Sequence, residues 1–173
     1  MSPEEKYKNL FSEMAKLCRT SGWGDPFSYA RSKEIMTACE LGHSMVSTYS
    51  GADGIKPDGT LCEYKSTTFH SGQKKKAKAK GSYTGISVQS TWEEQEQYLI
   101  NDKILKYPEH YFSLFNGDEG VIEEIWMMTG QQVYDLLLPK IKKKYPEILT
   151  KKDPRLSADI TQTEIKKFAT RIL

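Results

Sequence analysis

A tight turn followed by strict alternation constrains this chain more than any other feature. Pro57-Asp58-Gly59 is a turn with a mechanism: proline presets φ at the first central position and glycine accepts a positive φ. Leu61-Cys62-Glu63-Tyr64-Lys65-Ser66-Thr67 then alternates with period two, which predicts a strand. The turn folds this strand back on the segment Gly51-Ala52-Asp53-Gly54. Residues two apart on a strand share a face, so Glu63 and Lys65 project together and Tyr64 points the other way.

The surrounding pattern predicts helices on either side of a sheet. Tyr7, Leu10, Phe11, Met14 and Leu17 recur at helical spacing, giving an amphipathic N-terminal helix over 3–18. Gly22-Trp23-Gly24-Asp25-Pro26 breaks it, and Ser28 or Ser32 is the candidate cap of a second helix reaching about Met45. Residues 83–88 form a further candidate strand, and Thr91 with Glu94 reads as a capping box opening a helix to about Lys106. Tyr111 to Phe115 and Val121 to Met128 flank the Asn116-Gly117-Asp118 turn as a hairpin. Within it, Tyr111, Leu114, Phe115, Ile122, Ile125 and Trp126 are the expected central packing. Gln131 to Lys144 is another amphipathic helix with an expected kink at Pro139. A helical tail is expected over 146–173, with Pro146 and Pro154 in the connecting loop and a short helix from Thr161 to Ile172. The order predicts one α/β domain spanning 1–173, a mixed sheet flanked by helices.

Composition excludes several classes. With 173 residues, 38% of them hydrophobic, the chain can bury a core without disulfide or metal staples. No apolar run approaches the roughly 20 residues of a membrane span. Three widely spaced cysteines (Cys18, Cys39, Cys62) make no zinc knuckle or disulfide framework. The polar, acidic first residues lack the apolar core of a signal peptide. A reducing, cytoplasmic setting is therefore expected. Net charge is only +2, but lysines are segregated into two runs. Lys74, Lys75, Lys76, Lys78 and Lys80 form one; Lys140, Lys142, Lys143, Lys144, Lys151 and Lys152 form the other. The first reads as a mobile loop that seeks phosphate. The second fits equally a phosphate footprint or a helix end that favours cations.

The hairpin brings Asp53 beside Glu63. Two carboxylates meeting at one point repel unless a positive charge lies between them. A hard divalent cation such as Mg²⁺ supplies that charge with oxygen ligands and can activate bound water. Lys65, beside it, is placed to orient water or to stabilise developing negative charge on a phosphate. Asp58 lies five residues before Glu63 at the tip of the turn, pointing away from this face, and is expected to be a turn residue.

Asp53 … Glu63-Tyr64-Lys65 resembles the D…ExK signature of the PD-(D/E)XK nuclease superfamily, and the chain is most similar to a small type II restriction endonuclease. The resemblance covers about residues 30–68: helix, hairpin bearing the acid, then ExK on the next strand. It departs from the family pattern in that Ala52 precedes Asp53 where the family has proline. The resemblance implies a restriction-endonuclease-like fold and Mg²⁺-dependent cleavage of double-stranded DNA, leaving 5′-phosphate and 3′-hydroxyl ends. Asp53 and Glu63 would hold the metal and Lys65 would position water. The family often adds an acid from the preceding helix. Glu34, which falls within the apolar arc of that helix, is the first candidate and Glu40 the alternative; both remain readable as surface charges.

Ser66, Thr67 and Thr68 follow the motif and offer hydroxyls to a DNA backbone, although the same residues simply favour a strand. His70 and the lysines at 74, 75, 76, 78 and 80 form the expected DNA-facing segment, with base-reading residues expected in loops 66–90 and 145–160. A homodimer is the simplest way for one small domain to cut both strands, with a palindromic target. No phosphate-binding glycine loop, dinucleotide fingerprint, paired-histidine zinc motif or serine elbow is present in the sequence, so no nucleotide cofactor is expected. The alternatives are a structure-specific or repair nuclease, or a non-catalytic DNA-binding module.

Overall fold

The computed structural model describes residues 1–46, 51–72 and 78–173. Lys74, Lys75 and Lys76 therefore lie outside the described residues. Helix α1 (Pro3–Thr20) opens on a capping box. Ser2 Oγ accepts the Glu5 N–H (3.2 Å), and Glu5 Oε2 accepts the Ser2 N–H (2.8 Å). Proline in the first turn adds a preset φ where no N–H is needed. Of its residues only Cys18 is buried.

Helix α2 (Arg31–Leu41) is shorter than its expected extent to Met45. Gly42 takes φ +67°, a left-handed stop that glycine adopts without penalty. Its cap is Ala30, without a side-chain bond, because Ser28 Oγ donates instead to Asp25 Oδ2 (2.7 Å). The chain then enters β1 (Ser44–Met45), β2 (Gly54–Ile55) and the long β3 (Leu61–Phe69). After β4 (Gly81–Ser87) comes α3 (Trp92–Tyr98), whose capping box joins Thr91 and Glu94. A π-helical turn, Leu99–Lys103, ends it. The hairpin follows as β5 (Glu109–Asn116) and β6 (Val121–Thr129), then α4 (Gly130–Ile148).

Two expectations for the C-terminal third are corrected. Pro146 lies inside α4, not in a loop after it; so near the helix end its missing N–H removes one terminal bond. The tail is not wholly helical. It forms β7 (Arg155–Ile160), the short α5 (Gln162–Phe168) and β8 (Thr170–Arg171). Leu156, Ala158 and Ile160 are buried in strict alternation along β7, and this period-two pattern overrides helix. Of the base-reading loop expected at 145–160, only 149–154 is loop; the rest is the end of α4 and the paired strand β7.

The protein is α/β, with one six-stranded mixed sheet in the order β1-β2-β3-β5-β6-β8 and a separate pair, β4 with β7. The sheet is antiparallel except that β3 and β5 run parallel, with Glu63 opposite His110 and Lys65 opposite Phe112. Parallel neighbours need a long crossover, here supplied by β4 and α3. One core packs Phe112, Met128, Leu99 and Ile104 with α4 residues Val133, Leu137 and Ile141 and β7 residues Leu156 and Ile160. The other joins Ala38 of α2 to Cys62, Tyr64, Tyr111 and Ile125. Side chains of this size stabilise the fold by about 1.5–3 kcal/mol each when fully buried. Of the expected central packing, Tyr111, Leu114, Phe115 and Ile125 are buried, while Ile122 and Trp126 are partly exposed; β5 is buried on both faces. No helix among the described residues is long and apolar enough to cross a membrane.

Candidate active site

The site begins where β2 stops. Gly54 and Ile55 pair with Cys62 and Leu61, and one residue further out Asp53 N–H donates to Cys62 O (2.9 Å). The backbone ladder gives way there to a side chain: Tyr64 N–H donates to Asp53 Oδ2 (2.7 Å). The carboxylate of Asp53 thereby satisfies the edge of β3 and is fixed against it. Gly54 permits this close approach, since a β-carbon there would fall 2.0 Å from the Tyr64 hydroxyl.

Beyond that point the edge of β3 faces α2 across a cavity of about 230 Å³. Asp53, Glu63, Lys65 and Ser66 line it from the sheet side, and Glu34, Lys33 and Thr37 from the helix. The side chains of Glu63 and Lys65 are 13% and 22% exposed and form an ion pair with each other. Glu34 pairs with Arg31 (3.3 Å). Arg31 is itself buried, with Nε donating to Trp23 O (2.8 Å) and Nη2 to Val46 O. Thr37 Oγ1 and Ser113 Oγ, 3.2 Å apart, tie the helix to β5. The helix thus holds Glu34 at a fixed distance from the sheet. Arg31 escaped the sequence reading, although its i, i+3 spacing to Glu34 in the first helical turn is an ion-pair signal.

The electrostatics are frustrated. Burial, then Glu63, then Glu34 push the Asp53 carboxyl up to about 7, against the Tyr64 N–H and Lys65, which lower it. Three acids meet at one cavity; Lys65 is paired with Glu63 and Arg31 with Glu34, and Lys33 lines the same cavity. Among the described residues no three His, Cys, Asp or Glu side chains form a ready-made metal cage. Mg²⁺ does not require one, because it keeps several waters and takes one or two carboxylates. The donor set is hard oxygen throughout, and Asp53 with Glu63 fits such an ion.

Beneath Lys65 lies a second polar group that the sequence reading missed. Lys65 Nζ sits 5.0 Å from the centroid of the Tyr83 ring. Tyr83 and His110 are buried, the hydroxyl 2.8 Å from His110 Nδ1. His110 Nε2 lies 3.1 Å from Ile104 O, so Nε2 carries the proton and the tyrosine donates to Nδ1. Burial pulls His110 down to about 4, which keeps it neutral.

The remaining candidates divide. Glu40 is exposed and away from the cavity lining. Asp58 is exposed at the turn, its Oδ1 accepting the Thr60 N–H (3.0 Å). Thr67 Oγ1 donates to Lys80 O (3.4 Å), and Thr68 Oγ1 is buried without a partner among the described residues. Lys78 and Lys80 are exposed. His70 does not stand free toward solvent: Nδ1 lies 3.0 Å from Asp118 Oδ1, and Ser71 N–H donates to Asp118 Oδ2 (2.6 Å). These bonds pin the end of β3 to the β5–β6 turn. The second lysine run is largely spent on the fold. Lys140 donates to Asp159 O and to Glu164, Lys144 donates to Ser157 O, and Lys142 covers the Trp92 ring at 5.3 Å.

No family model matches the chain, and no curated protein matches it in sequence. The conclusions about its chemistry therefore rest on the residues and their geometry.

Proposed function

We propose that this protein is a Mg²⁺-dependent endodeoxyribonuclease with a PD-(D/E)XK-type site, acting on double-stranded DNA at a specific sequence. The observation that carries the reading is the convergence of Glu34, Asp53, Glu63 and Lys65 on one cavity at the open edge of β3. The D…ExK spacing resembles that superfamily, and the cavity draws on the same strand and the helix before it.

A bound divalent ion would polarise the scissile phosphate and make water more acidic. The chain's own residues do the rest. Asp53 and Glu63 would hold the ion. Lys65, at the cavity wall beside Glu63, is placed to donate hydrogen bonds to an attacking water or to the phosphate oxygen that gains charge. Glu34, steadied by Arg31, orients water from the helix side. Ser66 at the cavity wall and the exposed Lys78 and Lys80 just before β4 suit backbone phosphates. Two copies related by a two-fold axis would cut both strands.

The experiment is digestion of supercoiled plasmid and phage DNA in Mg²⁺, with EDTA and Asp53→Ala controls. Discrete bands that vanish in both controls are expected. Cutting without a fixed pattern would replace sequence specificity with structure-directed cleavage. A second reading, a non-catalytic DNA-binding module, draws on the Glu63–Lys65 ion pair, which is what a purely structural pair would look like. DNA binding without cutting, unaffected by Asp53→Ala, would favour it.

A further inference from the structure

We infer that α1 is a homodimerisation helix, whose occupant is α1 of a second copy packed antiparallel about a two-fold axis. Tyr7, Leu10, Met14 and Leu17 are spaced three, four and three apart, the seam of a coiled coil. All four face solvent: Tyr7 is 68% exposed, Leu10 54%, Met14 44% and Leu17 55%. Phe11 (44%) and Phe27 (42%) widen the strip, stacked with ring centroids 3.7 Å apart.

An 18-residue helix with one buried side chain gains little from the body of its own chain. Helices of this length are marginal alone, and most helical stability comes from packing an apolar face. The capping box and the initial proline set the helix up, while the strip along it stays uncovered. Single exposed apolar residues need no explanation, but six in one contiguous strip do.

The area suits a second copy. These six side chains expose roughly 600 Å² per chain, against the ~800 Å² per partner of a standard interface. Two such strips reach the lower end of the specific range. The pattern is also self-complementary. With the axis between Leu10 and Met14, Leu10 of one copy meets Met14 of the other and Tyr7 meets Leu17. Every large side chain in the seam then has a partner, and the surface closes isologously. The antiparallel arrangement also sets opposite helix dipole ends side by side.

The inference deepens the two-fold assembly proposed above but rests on α1 alone, and its test reads mass rather than cleavage. Sedimentation velocity on the full chain, from about 1 to 100 μM, is expected to give twice the 19.8 kDa chain mass. The double variant Leu10→Glu/Met14→Glu is expected to sediment at the chain mass with far-UV circular dichroism otherwise intact. Ser12→Glu, on the opposite face of the helix, is expected to remain dimeric and guards against a general charge effect. If the double variant unfolds, the milder Leu10→Ala is expected to raise the dimer dissociation constant at least 10-fold. A monomeric wild type across the range overturns the inference. So does a dimer that survives the double variant.

Discussion

Two polar clusters meet at the Lys65 side chain, and they are built on opposite principles. On one side Tyr83, His110 and Ile104 O form a closed chain in which each buried polar atom has its partner. On the other, Asp53, Glu63 and Glu34 crowd one cavity, where burial and the two glutamates push the Asp53 carboxyl up. Glu63 of the second lies opposite His110 of the first across the parallel strands β3 and β5. The closed cluster lowers the energy of the fold, since a buried polar group is costly only when unpaired. The open one raises it, and such strain persists where a ligand relieves it. Lys65 belongs to both, with its ammonium on Glu63 and over the face of Tyr83.

The comparison is broken most severely by removing an acid. Asp53→Ala or Glu63→Ala is expected to lower cleavage by about 10³-fold, the scale of losing a key electrostatic group. Thermal stability of the metal-free protein should hold steady or rise, because repulsion leaves with the charge. Single-turnover cleavage beside thermal melting checks both halves; a large drop in melting temperature would place Asp53 in the closed, stabilising class.

The pH dependence of stability sharpens the contrast, because the two clusters have opposite signs. Asp53 is raised from 3.8 to about 7, so its contribution is full below pH 3.8 and is lost as pH rises through 7, by at most about 4 kcal/mol. His110 is lowered from 6.5 to about 4, so its contribution is full above pH 6.5 and is lost as pH falls toward 4. Urea unfolding of metal-free protein between pH 4 and 7 checks this as differences from wild type. Asp53→Asn should gain stability relative to wild type as pH rises, and His110→Gln should gain it as pH falls.

Removing a member of the closed cluster is expected to act on stability alone. His110→Ala leaves a cavity and an unpaired tyrosine hydroxyl, a cost of about 2–3 kcal/mol, with cleavage per folded molecule within about threefold. Chemical denaturation and an active-site-normalised rate separate the two. The smallest effects compare the two helix acids. Glu34→Gln should slow cleavage about 10-fold, whereas exposed Glu40→Gln should change neither rate nor stability beyond about 0.5 kcal/mol. Equal effects from both would remove Glu34 from the site.

The open cluster was more legible in sequence than the closed one. Asp53 and Glu63 are joined by a turn whose residues declare themselves, and period two puts Glu63 and Lys65 on one face. Glu34 against Glu40 could be weighed from helical phase alone. Tyr83 and His110 meet across 27 residues through the packing of two different sheets, and no local pattern announces that. The C-terminal third was misread for a related reason. The alternation in β7 is short and follows lysines and Pro154, and its partner β4 lies more than 60 residues away in sequence. The second lysine run shows the limit of charge counting: Lys140 and Lys144 are held by Glu164 and by backbone carbonyls of β7, which composition cannot reveal.

The central claim is that the crowded acids are a cation site. Isothermal titration calorimetry of Mg²⁺ into metal-free wild type and Asp53→Asn at pH 7.5, without DNA, tests it directly. Saturable binding to wild type is expected, with a heat that varies with the buffer's ionisation enthalpy because Asp53 gives up its remaining proton, and both are expected to be lost in the variant. Identical isotherms for the two proteins, or no binding to either, would contradict it.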